Sequence, residues 1–183
     1  MKILIIDIET TGFLNANGKI VEIGMVELDL KTGARKIVFD KCVRETSMTK
    51  RDIERAWIIQ NSSLRVSDVM NAVAFDDVKD EVQQIVNSYP AGATAYNKSF
   101  DFDFLSSRGI NFPKEVDCPM LASTPVCKLP SPRGRGYKWP KVEEAYDYFF
   151  PNNNYEEEHR GADDAMHEAE IVYELYKMGK IKV

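Results

Sequence analysis

The residues best suited to chemistry in this chain are carboxylates. Asp7 and Glu9 close the apolar run Ile3-Leu4-Ile5-Ile6-Asp7-Ile8-Glu9, which breaks at Thr10-Thr11-Gly12. A run of leucine and β-branched residues without helical spacing reads as a buried strand. Side chains alternate along a strand, so Asp7 and Glu9 share one face while Ile6 and Ile8 take the other. Two anions side by side at the end of a buried strand repel each other and resist desolvation, which calls for a cation between them. A hard divalent ion such as Mg²⁺ or Mn²⁺ suits oxygen ligands of this kind.

More carboxylates follow downstream. Tyr96-Asn97-Lys98-Ser99-Phe100-Asp101-Phe102-Asp103 reads as the passage from a short strand into a helix. Asp101 falls in the first turn, where the positive end of the helix dipole favours an anion. The last helix is expected over 162–178. Winding it at 3.6 residues per turn gathers Asp163, His167, Glu170 and Glu174 on one polar face and turns His167 to solvent. The same winding sets Asp164 beside Ile171 and Leu175 at the margin of the apolar face, and an aspartate aimed inward needs a reason. His159 lies five residues before Asp164, near enough to share a site with it.

The elements that must position these groups read as an α/β arrangement. Ile20–Leu30 and Lys36–Val43 join the first run as three strands linked by short turns, antiparallel at the second connection. Helices are expected over 50–60 and 76–88, the second with Val78, Val82, Ile85 and Val86 in one stripe. A short strand over 93–96, a helix from near Ser99 closed by Gly109, and a fifth strand over 115–118 follow. No linker or composition shift divides residues 1–183, which are expected to form a single domain.

Composition excludes several classes. With 183 residues, 44% hydrophobic and 29% charged, the chain can bury an ordinary globular core. No apolar run approaches the roughly 18 residues of a membrane helix, and no leader pattern precedes the first strand. A cytoplasmic protein with no membrane partner is expected. Cys42, Cys118 and Cys127 lack both CxxC spacing and a nearby histidine pair, which argues against disulfides and structural zinc. A net charge of −5 argues against coating nucleic acid with the whole surface.

One segment runs against that acidity. Residues 119–141 form a Pro-rich basic loop that holds Pro119, Pro125, Pro130, Pro132 and Pro140 and reads as mostly non-helical. Lys128, Arg133, Arg135, Lys138 and Lys141 lie in it with no acidic residue among them. The stretch Arg133-Gly134-Arg135-Gly136-Tyr137-Lys138-Trp139 interleaves cations, glycines and aromatics, a combination that grips phosphates and stacks on bases.

Asp7-x-Glu9 after a buried strand, Asn97-x-x-Phe100-Asp101 at a strand-to-helix junction and His159-x-x-x-x-Asp164 leading into the last helix resemble, in order, the three motifs of the DEDDh 3′-to-5′ exonucleases. These are relatives of polymerase proofreading subunits and of ribonuclease T. The resemblance implies a ribonuclease H-like fold, a central mixed sheet of five strands flanked by helices. It selects Asp101 over Asp103 and assigns Asp7, Glu9, Asp101 and Asp164 to two divalent ions, Mg²⁺ or Mn²⁺, with His159 as general base. On this reading Asp7 bridges the ions, Glu9 and Asp164 complete the site that activates water, and Asp101 supports the second ion.

The expected activity is hydrolysis of nucleic acid from a free 3′ end, single-stranded DNA favoured, to nucleoside 5′-monophosphates. Thr10, Thr11, Gly12, Phe13 and Asn97 are expected to meet the terminal nucleotide, and Arg133, Arg135 and Lys138 the strand behind it. A DNA polymerase is a candidate partner. The competing expectations are RNA or oligonucleotide trimming, and a module of the same fold that binds nucleic acid or a polymerase without cutting.

Overall fold

The structure is a computed structural model that describes residues 1–153 and 155–183. Its centre is a mixed five-stranded sheet in the order β4-β3-β2-β1-β5. The strands are β1 (Lys2–Thr10), β2 (Ile20–Asp29), β3 (Arg35–Arg44), β4 (Val73–Ala74) and β5 (Ala93–Thr94). β1, β2 and β3 form an antiparallel meander, while β5 runs parallel to β1 and β4 parallel to β3. The helices are α1 (Lys50–Arg55), α2 (Trp57–Asn61), α3 (Val66–Met70), α4 (Phe75–Asn87), α5 (Lys98–Ser107), α6 (Pro119–Cys127), α7 (Val142–Phe149) and α8 (Gly161–Lys177). None of the described helices is long and apolar enough to cross a membrane.

β1 is apolar on both sides because both sides are covered. Ile3 and Ile5 pack with Val26, Leu28, Ala165, Ala169 and Val172 beneath α8. Leu4, Ile6 and Ile8 pack on the opposite side with Val78 and Val82 of α4 and Phe102, Phe104 and Leu105 of α5. A third cluster of Val21, Met48, Ile53, Ala56, Ile58, Leu64 and Val69 seats α1, α2 and α3 beside β2. Strand alternation puts Asp7 and Glu9 on the same side as Ile3 and Ile5, the side that α8 covers.

The structure corrects four local expectations. Residues 115–118 are not a strand: Pro113 and Pro119 bracket the segment, and only Glu115 bridges to Ala93. The fifth strand is instead β4, two residues at the outer edge. The expected helix over 50–60 is broken at Ala56, whose backbone is extended (φ −65°, ψ 136°), into α1 and α2. The basic segment is not uniformly irregular, since its cation-free first part forms α6. Pro119 sits at the helix start, where a missing N–H is harmless, and Val126 and Cys127 are buried in the core beneath α8. His167 does not face open solvent: its ring lies 4.3 Å from that of Tyr155 and 5.4 Å from that of Tyr146.

One backbone contact fixes α8 against the sheet. A Cβ on Gly24 of β2 would lie 2.0 Å from the carbonyl carbon of Gly161, and one on Gly161 would lie 2.8 Å from the Gly24 nitrogen. The first turn of α8 therefore rests directly on the strand that pairs Gly24 with Asp7. Gly24→Ala is expected to destabilise the protein by about 3 kcal/mol or more through overpacking, read as a lower urea midpoint. Gly134→Ala, in open space at φ +72°, is expected to cost only about 1 kcal/mol.

Candidate active site

Three elements bring five carboxylates together. β1 supplies Asp7 and Glu9. The first turn of α5 supplies Asp101, which is buried and whose Oδ1 accepts a hydrogen bond from the Ile8 N–H at 3.1 Å. That bond ties α5 to the strand between the two acidic positions. Asp103, two residues on, is exposed. The start of α8 supplies Asp164, fully buried, whose carboxylate accepts from the Tyr155 hydroxyl at 3.0 Å and from the Arg160 N–H at 2.8 Å. Asp163, its neighbour in sequence, points away with its side chain 45% exposed.

The fifth is Glu168, which the sequence reading passed over. It is buried, and its Oε2 accepts from the Tyr96 N–H at 3.3 Å. It stands one turn beyond Asp164, so the winding that turned Asp164 inward turns Glu168 inward as well. The signal was available in the helical spacing.

The electrostatics of this cluster are those of anions held without a counter-ion. Among the described residues, none of the five pairs with a lysine or arginine within 4.0 Å. Asp7 Oδ2 is buried without a hydrogen-bond partner. Burial first, and then Glu168, Glu9, Asp101 and Asp164, hold the Asp7 carboxyl well above the usual range. Burial, followed by Asp164 and Glu22, pushes Glu9 up to about 9. Burial raises Asp101 to about 8 against the opposing Ile8 N–H, and it raises Asp164 and Glu168 too. A carboxylate set with an orphaned buried oxygen and no cation is the environment that a divalent ion neutralises.

His159 completes the group. One ligand atom each from Glu9, His159 and Asp164 lie within 4.8 Å of one another. The His159 backbone is left-handed (φ +53°). Its ring meets the edge of Trp57 at 4.8 Å, and its Nδ1 lies 3.9 Å from Glu157 Oε2. Burial, then Asp164 and Glu143, pushes Glu157 up to about 7.

Two clefts adjoin these residues. One, of about 450 Å³, is lined by Phe13, Leu14, Asn97, Ser99, Phe100 and Phe104 among others. The second, of about 540 Å³, is lined by Trp57, Asn97, Trp139, Lys141, Glu157 and His159 among others. Asn97 lines both, and Phe13 is exposed with its ring edge toward Phe100. Thr10 and Thr11 are half-buried and Gly12 is exposed. Thr11 closes their loop by accepting from the Lys19 N–H at 3.0 Å and donating its own N–H to the Lys19 carbonyl at 2.8 Å.

The basic segment divides. Met120, Trp139, Pro140 and Lys141 reach the second cleft. Arg133 and Arg135 lie on an exposed tip, and Lys138 is ion-paired with Glu144. The structure thus brings the acidic residues, His159, Asn97 and Phe13 into one region and leaves Arg133 and Arg135 at the periphery. Trp57 and Tyr155 also meet the site, and nothing in their local sequence pattern marked them.

The chain is similar to known proteins in sequence and in fold. The chain is 28% identical over 178 residues to the PolC-type DNA polymerase III of Clostridium perfringens, covering 97% of this chain but only 11% of that protein. Among solved structures, it superposes with a TM-score of 0.71 on a 3′-exonuclease that recognises the 3′ end of a histone mRNA stem-loop. That match has 17% identity and covers 100% of this chain and 84% of the other. The nuclease domain of 3′hExo, a DEDDh family member bound to rAMP, gives a TM-score of 0.68 at 19% identity, covering 97% and 92%. These structures share the fold. Residues 4–172, a span that contains Asp7, Glu9, Asp101, His159, Asp164 and Glu168, match the RNase_T family model, described as Exonuclease, and the chain belongs to that family of nucleic-acid exonucleases.

Proposed function

We propose that residues 1–183 form one 3′-to-5′ exonuclease domain that acts on single strands, DNA favoured, with two divalent ions, Mg²⁺ or Mn²⁺. The observation that carries this reading is the convergence of Asp7, Glu9, Asp101 and Asp164 around an orphaned Asp7 oxygen with no cation among them. Asp7, whose carboxyl feels Glu168, Glu9, Asp101 and Asp164, would be the central residue of the set that holds the ions. Glu9 and Asp164, grouped with His159, would contribute to one ion, and Asp101, braced by the Ile8 N–H, would support the other. When bound, such ions neutralise the attacked phosphate and lower the pKa of water.

The protein groups do the rest. His159, neutral, takes the proton of the attacking water, and with Nδ1 turned toward Glu157 its Nε2 is the receiving atom. The products are a nucleoside 5′-monophosphate and a strand one residue shorter. Phe13 and Asn97, with the backbone of Thr10, Thr11 and Gly12, seat the terminal nucleotide in the cleft beside Phe100. Arg133 and Arg135 are free to follow the phosphates upstream, whereas Lys138 must first leave Glu144.

The 28% relative is a DNA polymerase, which favours DNA as substrate and a polymerase as partner. The 3′-exonuclease that recognises histone mRNA keeps RNA as the second reading. Matched DNA and RNA single strands, each blocked at one end, distinguish these readings. Mononucleotide release from 5′-blocked DNA, no release from 3′-blocked DNA and slower release from RNA are expected. Release only from 3′-blocked strands would reverse the polarity.

Asp7→Ala and Asp164→Ala are expected to abolish turnover while far-ultraviolet circular dichroism stays native. His159→Ala is expected to lower kcat by about 10² to 10⁴, and His167→Ala, packed among tyrosines, to lower it less than tenfold.

The metal reading also sets a pH dependence. A carboxyl whose folded pKa is raised stabilises the fold below its unfolded pKa and loses that contribution as pH climbs through the folded value. For Glu9 the loss spans about 4.5 to about 9, and for Asp101 about 3.8 to about 8. The metal-free melting temperature is therefore expected to fall from pH 5 to pH 9. Because ions compete with these protons, Mg²⁺ is expected to raise the melting temperature more at pH 8.5 than at pH 6. An equal shift at both values would refute that competition.

A further inference from the structure

Across β2 from the acidic pair lies a charged group that the reaction does not use. Glu22 stands directly opposite Glu9 in the β1–β2 register and is 1% exposed. Its Oε1 accepts from Arg160 Nη2 at 2.6 Å and Nε at 3.1 Å, and its Oε2 accepts from Arg160 Nε at 3.0 Å. Oε2 also accepts from the Gly161 N–H at 3.1 Å, and the Cys42 thiol donates to Oε1 at 3.7 Å.

Arg160, half-buried, is held through both its backbone and its side chain. Its backbone N–H donates to Asp164 at 2.8 Å, and its Nη1 donates to Ser63 Oγ at 3.1 Å. The next residue, Gly161, is pressed against Gly24. The residue before it is His159, held in a left-handed backbone that a non-glycine side chain adopts only when its surroundings impose it. Glu22 is buried but the Arg160 side chain is 33% exposed, so the pair adds little net stability, while its hydrogen bonds from both Nε and Nη2 hold the guanidinium in one orientation. Placing such a pair one residue from a strained histidine therefore serves geometry more than stability.

We propose that Glu22 is a positioning residue for His159 that acts through Arg160. Its carboxylate clamps the guanidinium and the Gly161 amide together, and the clamp holds the His159 imidazole against Glu9 and Asp164. This rests on His159 being the general base.

A double-mutant cycle decides it, using wild type, Glu22→Gln, His159→Ala and the double variant, with kcat and KM measured on a single-stranded oligonucleotide. Glu22→Gln keeps the shape and an acceptor for Gly161 but loses the charged fork. It is expected to lower kcat by about 10- to 100-fold, the scale of a small displacement of a reacting group. KM and the Mg²⁺ concentration at half-maximal melting shift should stay within about twofold. In the His159→Ala background the same change is expected to alter kcat less than about twofold, whereas a merely structural role would cost the same in both. Equal losses in both backgrounds, or a wild-type kcat for Glu22→Gln, would overturn the proposal. If Glu22→Gln does not fold, Arg160→Lys, which keeps the charge without the fork, takes its place in the cycle under the same criteria. If His159→Ala alone leaves kcat unchanged, the general-base reading fails and the positioning role falls with it.

Discussion

Five carboxylates, Asp101, Asp164 and Glu168 buried and Asp7 and Glu9 half-buried, are confined in one region without a lysine or arginine partner among the described residues, and much of the structure keeps them there. Left to themselves, Asp7, Glu9, Asp101, Asp164 and Glu168 would separate or take up protons, and their raised pKa values record that pressure. What opposes it is apolar burial on both faces of β1, contributed by α8 on one side and α4 and α5 on the other. Burial at roughly 25 cal/mol per Å² acts over the whole sheet, whereas the repulsion is local. The fold can therefore tolerate the cluster as long as the elements cannot slide.

Sliding is prevented by contacts that are backbone in nature. The Gly24–Gly161 approach sets the depth of α8, and the Ile8 N–H to Asp101 bond sets that of α5. Both act on β1 or its immediate partner at the level of Asp7. Side-chain packing alone would allow each helix some freedom of rotation, and a rotation of α8 would move Asp164 and Glu168 together because they share one face. Backbone contact at the first turn removes that freedom where the carboxylates are. The large number of hydrogen-bond acceptors around Arg160 continues the same logic into the loop that carries His159.

How much of this was legible in the sequence depended on whether the signal was local. Asp7 and Glu9 were readable because strand alternation is strictly periodic, and Asp164 because its helical neighbours are apolar. Glu168 obeys the same rule, one turn beyond Asp164 and buried with it. Glu22 was marked in principle, as a charge within the apolar run Ile20–Met25, but its partner Arg160 lies 138 residues away and no local pattern joins them. The strand expected at 115–118 failed for a related reason. Its composition suits a strand, but strand formation needs a partner along its length, and prolines on both sides leave it one bridge. In α6, apolar burial and a proline at the tolerant first position outweighed the composition that argued for a loop.

The acidic centre and the basic tip are separated in the structure, and that separation has a physical meaning for substrate handling. Cations set among the carboxylates would neutralise them in place of metal ions. Lys138 shows the tendency, since even at the edge of the segment it is taken by Glu144. The residues of the segment that do reach the second cleft are Met120, Trp139, Pro140 and Lys141, of which only Lys141 carries charge. On the proposed reading, contacts near the reacting end would come chiefly from aromatic and backbone groups, and Arg133 and Arg135 of the loop would act further along the strand. On that reading, aromatic stacking would tolerate any sequence and salt would screen the distant phosphates, so the shape of the clefts around Phe13, Asn97 and Trp139, and not the charge of the loop, would set discrimination at the terminal nucleotide.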